Sequence, residues 1–179
     1  MKLLQGKKSG ITLIEALIVF AAGVGLIAAG LKLYSNLQNS GNIKDETTNI
    51  SNIIKRMGEI FGEDDMTEVM TSPQTVIDAG VFAPGTKIIG ADVFNKWNGR
   101  ITLDDTGVST WSLTYTRVPL GDACLDLVNN TKNVGFDRIQ ITSDSSIDLD
   151  VSDITSTILS AACADGGALN EATIVWINE

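Results

Sequence analysis

The feature that most constrains this chain is an apolar run near its start. From Ala16 to Leu31 (ALIVFAAGVGLIAAGL) no side chain is charged or strongly polar. Counted from Ile11, the run reaches 21 residues, interrupted only by Thr12 and Glu15. At about 1.5 Å per residue, a helix of that length crosses a bilayer core. Lys2, Lys7 and Lys8 precede it, so the positive-inside rule keeps Met1–Gly10 in the cytoplasm and sends everything after Lys32 to the far side. Glu15 is the anomaly. An ionisable group within such a stretch is costly and marks a functional site by default.

A secretory signal peptide has the same basic start, and Ala28-Ala29-Gly30 would suit its cleavage. Two features oppose it: the run exceeds a usual signal core, and it contains Glu15. The pattern also continues as helix. Ile50, Ile53, Ile54, Met57, Ile60 and Phe61 recur at helical spacing, with Asn49, Ser51, Asn52, Lys55, Arg56 and Glu59 on the remaining faces. Leu33, Tyr34 and Leu37 join the two parts, and Ser40-Gly41-Asn42 is a place where the helix can bend. One helix of about 50 residues is expected, apolar all round in its first half and amphipathic in its second.

From Gly62 to Gly99 two prolines and scattered glycines predict a long surface connection with one short helix near Gln74–Ala79. Arg100–Asp104 and Val108–Val118 then predict a hairpin around Asp105-Thr106-Gly107. In its second strand, Trp111, Leu113 and Tyr115 alternate with Ser112, Thr114 and Thr116. Pro119–Asp122 can stop that strand and cap a helix over Ala123–Asn130. Arg138–Thr142 and Thr173–Asn178 are further strands, and Ser152–Ala162 a further helix with Asp153 near its start. The fold class is α+β: one long N-terminal helix packed on an antiparallel sheet.

Composition narrows the chemistry. Histidine is absent, which removes Ser-His-Asp and Cys-His catalysis and the commonest transition-metal ligand. Without residues 1–10 the chain carries 10 basic and 22 acidic side chains, a formal charge of −12. No basic patch offers itself to phosphates, so no nucleic-acid partner is expected. Cys124 and Cys163 form an even pair behind a membrane-targeting segment, which suggests a disulfide made outside the cytosol; two unpaired buried thiols are the alternative. Asp144, Asp148, Asp150 and Asp153 cluster locally, as do Glu63, Asp64 and Asp65, but neither set has EF-hand spacing, and no metal or cofactor is expected. Gly6-Lys7-Lys8-Ser9 lacks the spacing of a phosphate loop.

The segment SGITLIEALIVF combines a short basic leader, Gly10, Thr12, Leu13 and Glu15 with the long apolar helix. It resembles the N-terminus of type IV prepilins and of the related pseudopilins of type II secretion. The motif covers about 25 residues, and the family plan of long helix, connecting loop, sheet and disulfide-stapled C-terminal region covers the chain more loosely. The resemblance implies cleavage by a prepilin peptidase between Gly10 and Ile11, where a glycine lets the scissile backbone approach the protease closely. It implies N-methylation of the new amine at Ile11, and a role for Glu15 in neutralising the N-terminal amine of a neighbouring subunit. An unpaired carboxylate in hydrocarbon costs a few kcal/mol, so such pairing sets axial register. The first-turn position of Glu15 also suits the helix macrodipole, whatever its partner. A Cys124–Cys163 disulfide would match the staple of the family's C-terminal region.

The separation of 39 positions between the cysteines and the stretch LTYTRVPLGDAC are more like the type IVb subclass. The ten-residue leader is shorter than type IVb leaders usually are, while the helix lacks the proline common in type IVa. Gly23, Gly25 and Gly30 can loosen the helix or permit close helix contact. The implied organisation is a cleaved leader at 1–10, a filament-core and membrane helix at 11–42, and a globular head at 43–179. The implied function is a structural, non-enzymatic subunit that passes through the bacterial inner membrane, meets the peptidase and the pilus assembly machinery there, and polymerises with identical subunits into an extracellular filament. A minor pilin or a pseudopilin shares every N-terminal feature. An exported enzyme or binding protein with an ordinary signal peptide is the reading from another class.

Overall fold

The structure is a computed structural model that describes residues 13–61, 72–107, 110–143, 145–164 and 170–178. It opens with α1, Leu13–Phe61, a helix of 49 residues that continues without interruption through Ser40-Gly41-Asn42. The chain divides into two compact units, 1–39 and 40–179, each taken by itself below. In the first, α1 turns large apolar side chains outward on every face: Leu13, Ile14, Leu17, Ile18, Val19, Phe20, Val24, Leu26 and Ile27 are all exposed. Among the described residues, no helix is long and apolar enough to cross a membrane. The first two positions of the expected span, Ile11 and Thr12, lie outside the described residues.

In the second unit, the remainder of α1 lies along a seven-stranded sheet. Ile43, Ile50, Ile53 and Met57 are buried, the spacing of three and four that makes one apolar stripe. The sheet comprises β1 (Lys87–Ile89), β2 (Asp92–Phe94), β3 (Arg100–Gly107), β4 (Thr110–Pro119), β5 (Arg138–Thr142), β6 (Ser146–Asp150) and β7 (Glu171–Asn178). Its spatial order is β1-β2-β3-β4-β7-β5-β6, and all pairings are antiparallel. The central strands alternate as their sequence predicts: Trp111, Leu113 and Tyr115 face the core from β4, and Ala172, Ile174 and Trp176 from β7. Tyr115 and Trp176 meet edge to face at 5.4 Å between centroids, a geometry that adds to simple burial. The Trp176 indole donates to Thr131 Oγ1 at 3.0 Å, and the Thr131 hydroxyl donates to Leu127 O at 2.7 Å, so the buried polar handle is satisfied.

Several boundaries differ from the expectations. The connection after Gly62 contains the β1–β2 hairpin, which three-residue strands hide from a period-two pattern. The turn-like Asp105-Thr106-Gly107 belongs to β3, where the ladder shifts register and Asp105 Oδ1 accepts the Gly107 N–H at 3.0 Å. The short helix α2 is Pro73–Asp78, with proline in its first turn. Helix α3, Asp122–Thr131, has Gly121 at the N-cap with φ 76° and no side-chain cap, so Asp122 stands inside the helix and does not cap it. The expected helix Ser152–Ala162 is split. Val151–Asp153 makes a 3-10 turn, and α4 runs Ser156–Ala162 with Thr155 Oγ1 accepting the Ile158 N–H at 3.3 Å. Thr155 is therefore the cap of α4. The acidic 146–150 stretch is the edge strand β6, with Asp148 paired to Arg138 across from β5. Glu63, Asp64, Asp65 and Asp144, the other members of the two acidic groups, lie outside the described residues.

Candidate functional site

Two places in the described chain carry side chains that packing alone does not explain. The first is the N-terminal part of α1. Glu15 sits in its first turn, exposed, among the exposed Leu13, Ile14, Leu17 and Ile18. Nine large apolar side chains between Leu13 and Ile27 are exposed. At about 2 kcal/mol for each, leaving them in water forfeits on the order of 18 kcal/mol, more than a whole domain's usual stability. Such a surface requires an apolar environment or a partner. Gly10 and Ile11, the residues of the expected cleavage and methylation, lie outside the described residues.

The second place is a polar cluster inside the head, which the sequence pattern does not announce. Glu46 and Asn49 occupy positions on the buried stripe of α1, between Ile43 and Ile50, and are only 3% and 5% exposed. The helical pattern predicts a solvent face for Asn49 and a core position for Ile60, whereas Asn49 is buried and Ile60 is exposed. The Asn49 Nδ2 donates to Tyr115 Oη at 3.1 Å and lies 3.4 Å from Glu46 Oε2. Its Oδ1 accepts the Ala83 N–H at 3.2 Å. Glu46 Oε1 accepts the Lys96 N–H at 2.6 Å. The two helix side chains thus tie α1 to β4 and to both ends of the β1–β2 hairpin. The clue in the sequence is the register: stepping by three and four from Ile43 to Ile50 passes through position 46, and position 49 lies one residue before Ile50.

Burial pushes the Glu46 carboxyl above its usual range, against the Lys96 N–H, the Asn49 and Tyr115 side chains and the Lys96 charge, all of which favour the ionised form. Tyr115 is pushed well above the usual phenol range by burial first and by the neighbouring Glu46 charge second. Above the cluster, an open cleft of about 410 Å³ is bordered by Asp45, Thr86, Lys87, Lys96 and Asn98. Lys96 Nζ pairs with Asp45 at 3.2 Å, and Lys87 Nζ donates to Asn98 Oδ1 at 2.8 Å. These polar groups are engaged with one another, and no histidine or activated nucleophile joins them. The arrangement is a hydrogen-bonded pin holding helix, hairpin and sheet together.

Cys124, buried on α3, and Cys163, at the end of α4, form a disulfide with Cα atoms 5.6 Å apart. Beside it the Gly121 N–H donates to Cys163 O at 2.8 Å, a backbone tie between the same two segments. Among the described residues, no three His, Cys, Asp or Glu side chains come together as a metal site.

No curated protein matches the chain significantly. Of the solved structures, the crystal structure of type IV b pilin from Salmonella typhi aligns with a TM-score of 0.58 and 22% identity, over 73% of this chain and 95% of that one. An NMR structure of type IVb pilin (PilS) from Salmonella typhi aligns over 80% of this chain and 93% of that one, at 20% identity and a TM-score of 0.38. The crystal-structure match gives the α+β architecture described above as a pilin fold. A family model, described as PilS N terminal, matches residues 40–179. The chain belongs to the PilS N-terminal family, and its fold is that of a type IVb pilin.

Proposed function

We propose that the chain is a structural subunit of a type IVb-like pilus, made as a prepilin, cut between Gly10 and Ile11 and N-methylated at Ile11. The cut places a new amine within about one helical turn of Glu15. In the assembled filament, Glu15 of one subunit neutralises the amine of its neighbour, and the apolar side chains of α1 pack against the same helices of other copies. Before assembly that segment is held in the inner membrane with the head outside. The chain acts through contacts and carries out no chemistry of its own.

The observation that carries this reading is the exposed apolar surface of Leu13–Ile27 with a single carboxylate in its first turn, on a chain whose remainder matches the pilin family. One ionisable group discriminates strongly between docked and misdocked positions in an apolar setting, because every register but one leaves it unpaired. The test is Glu15→Val. The variant should insert and be processed as the parent is, yet form no filaments. Filaments of normal yield from it would remove Glu15 from the assembly mechanism.

A further inference from the structure

The connection between β2 and β3 contains Asn98-Gly99, the single Asn-Gly pair in the chain. This dipeptide is chemically labile, because a glycine nitrogen reaches the preceding side-chain carbonyl without steric hindrance. The fold nevertheless demands both residues. Asn98 has φ 60°, a conformation asparagine tolerates better than most residues. Gly99 passes so close to β4 that a Cβ there would lie 1.6 Å from Thr116 O. The turn that joins β2 to β3 thus selects the pair most prone to deamidation.

Its surroundings oppose the reaction. The Gly99 N–H, whose nitrogen would have to attack, donates to Asn95 Oδ1 at 2.8 Å. Asn95 is itself buried and fixed, with Nδ2 donating to Thr116 O at 2.8 Å and its own N–H donating to Gly99 O at 2.9 Å. The Asn98 N–H closes the turn onto Asn95 O at 3.0 Å, while Asn98 Oδ1 is held by Lys87 Nζ. Asn98 itself is exposed at the mouth of the cleft, within reach of water.

We propose that Asn98 is a latent deamidation site, kept unreactive in the folded head by the clamp of Asn95 on the Gly99 N–H. When the turn opens, the Gly99 nitrogen bonds to Asn98 Cγ and gives up its proton. The bond from Cγ to the side-chain nitrogen breaks and ammonia leaves. Water then opens the resulting ring at either carbonyl, giving aspartate or isoaspartate. Isoaspartate adds a carbon to the main chain, which the Asn95–Gly99 hydrogen bonds leave no room to accept, so modification prevents the turn from closing again. The inference stands whether or not the chain forms filaments.

The test is peptide-mapping mass spectrometry at Asn98 on the full chain in detergent, aged in mildly alkaline buffer with and without urea. The urea-unfolded chain should deamidate there at least about tenfold faster, the factor that a local opening equilibrium of about 1.4 kcal/mol imposes. Equal rates overturn the proposal. Asn95→Ala removes the acceptor for the Gly99 N–H and should deamidate at Asn98 faster than the parent without urea, with folding followed by circular dichroism. A folded Asn95→Ala that ages like the parent overturns the role of the clamp. Hydrogen exchange at Gly99 in the parent decides the same point without a variant: protection like that of the β3 amides supports the clamp, and loop-like exchange contradicts it.

Discussion

Glu46 is a carboxyl buried on the core face of α1. A carboxyl held above its usual range by burial favours the protonated form in the folded head more than in the unfolded chain. Its contribution is therefore fully present below the unfolded carboxyl range and is lost as pH rises through the raised folded value. Head stability, followed by urea denaturation, should fall over that interval in the parent. Glu46→Gln, which keeps an oxygen for the Lys96 N–H, should flatten this part of the profile and match or exceed the parent at neutral pH. A parent profile that rises across the interval would contradict the assignment. Asn49→Ala should cost about 1–3 kcal/mol, because it leaves the Ala83 N–H without its acceptor and removes a donor to the buried Tyr115 hydroxyl. Asn49→Leu would show whether filling the space without the hydrogen bonds recovers any of that loss.

Among the elements, α3 and α4 are short, with ten and seven residues, too few to persist unaided. The Cys124–Cys163 bond ties them across 39 positions. In the chain-entropy model a closed loop of that size is worth about 4 kcal/mol. Cys124→Ala with Cys163→Ala should lower the denaturation midpoint of the head accordingly, and reduction of the parent should reproduce the loss. A midpoint unchanged in both would show that packing alone holds this region.

The elements also differ in how plainly the sequence announces them. Long patterned stretches are legible: the first half of α1 follows from its unbroken apolar run, and its second half and the β3–β4 hairpin, with its Trp111-Leu113-Tyr115 alternation, follow from burial on one face. Lys87–Ile89 and Asp92–Phe94 are not, because three residues hold too little alternation to separate strand from loop. Ser146–Asp150 is obscured by its aspartates, although Ile147 and Leu149 alternate, since the exposed face of an edge strand is where acid is tolerated. The Glu46–Asn49–Tyr115 cluster stays hidden because polarity on a helix ordinarily marks its solvent face, and here two polar residues occupy the core register.

At the scale of the whole molecule, the two ends of the chain pose opposite physical problems. Residues 40–179 match the pilin family and bury a continuous core around Trp176 and Tyr115. Residues 13–27 display apolar side chains to their surroundings and keep one carboxylate among them. The head carries nearly all the acid, so copies brought together repel one another at low salt. Filament yield should consequently rise with ionic strength before high salt adds nothing further, measurable by sedimentation of assembled subunits across a salt series. A yield that falls steadily with salt would mean that attraction between heads, and not the helix, drives assembly.

The central claim is that the cut after Gly10 creates the amine that Glu15 awaits. The intact mass and N-terminal sequence of subunits taken from the assembled state test it most directly. A chain beginning at Ile11 and carrying one added methyl group is the result predicted here, whereas a chain beginning near Leu31, cut as an ordinary signal peptide would be, would contradict it.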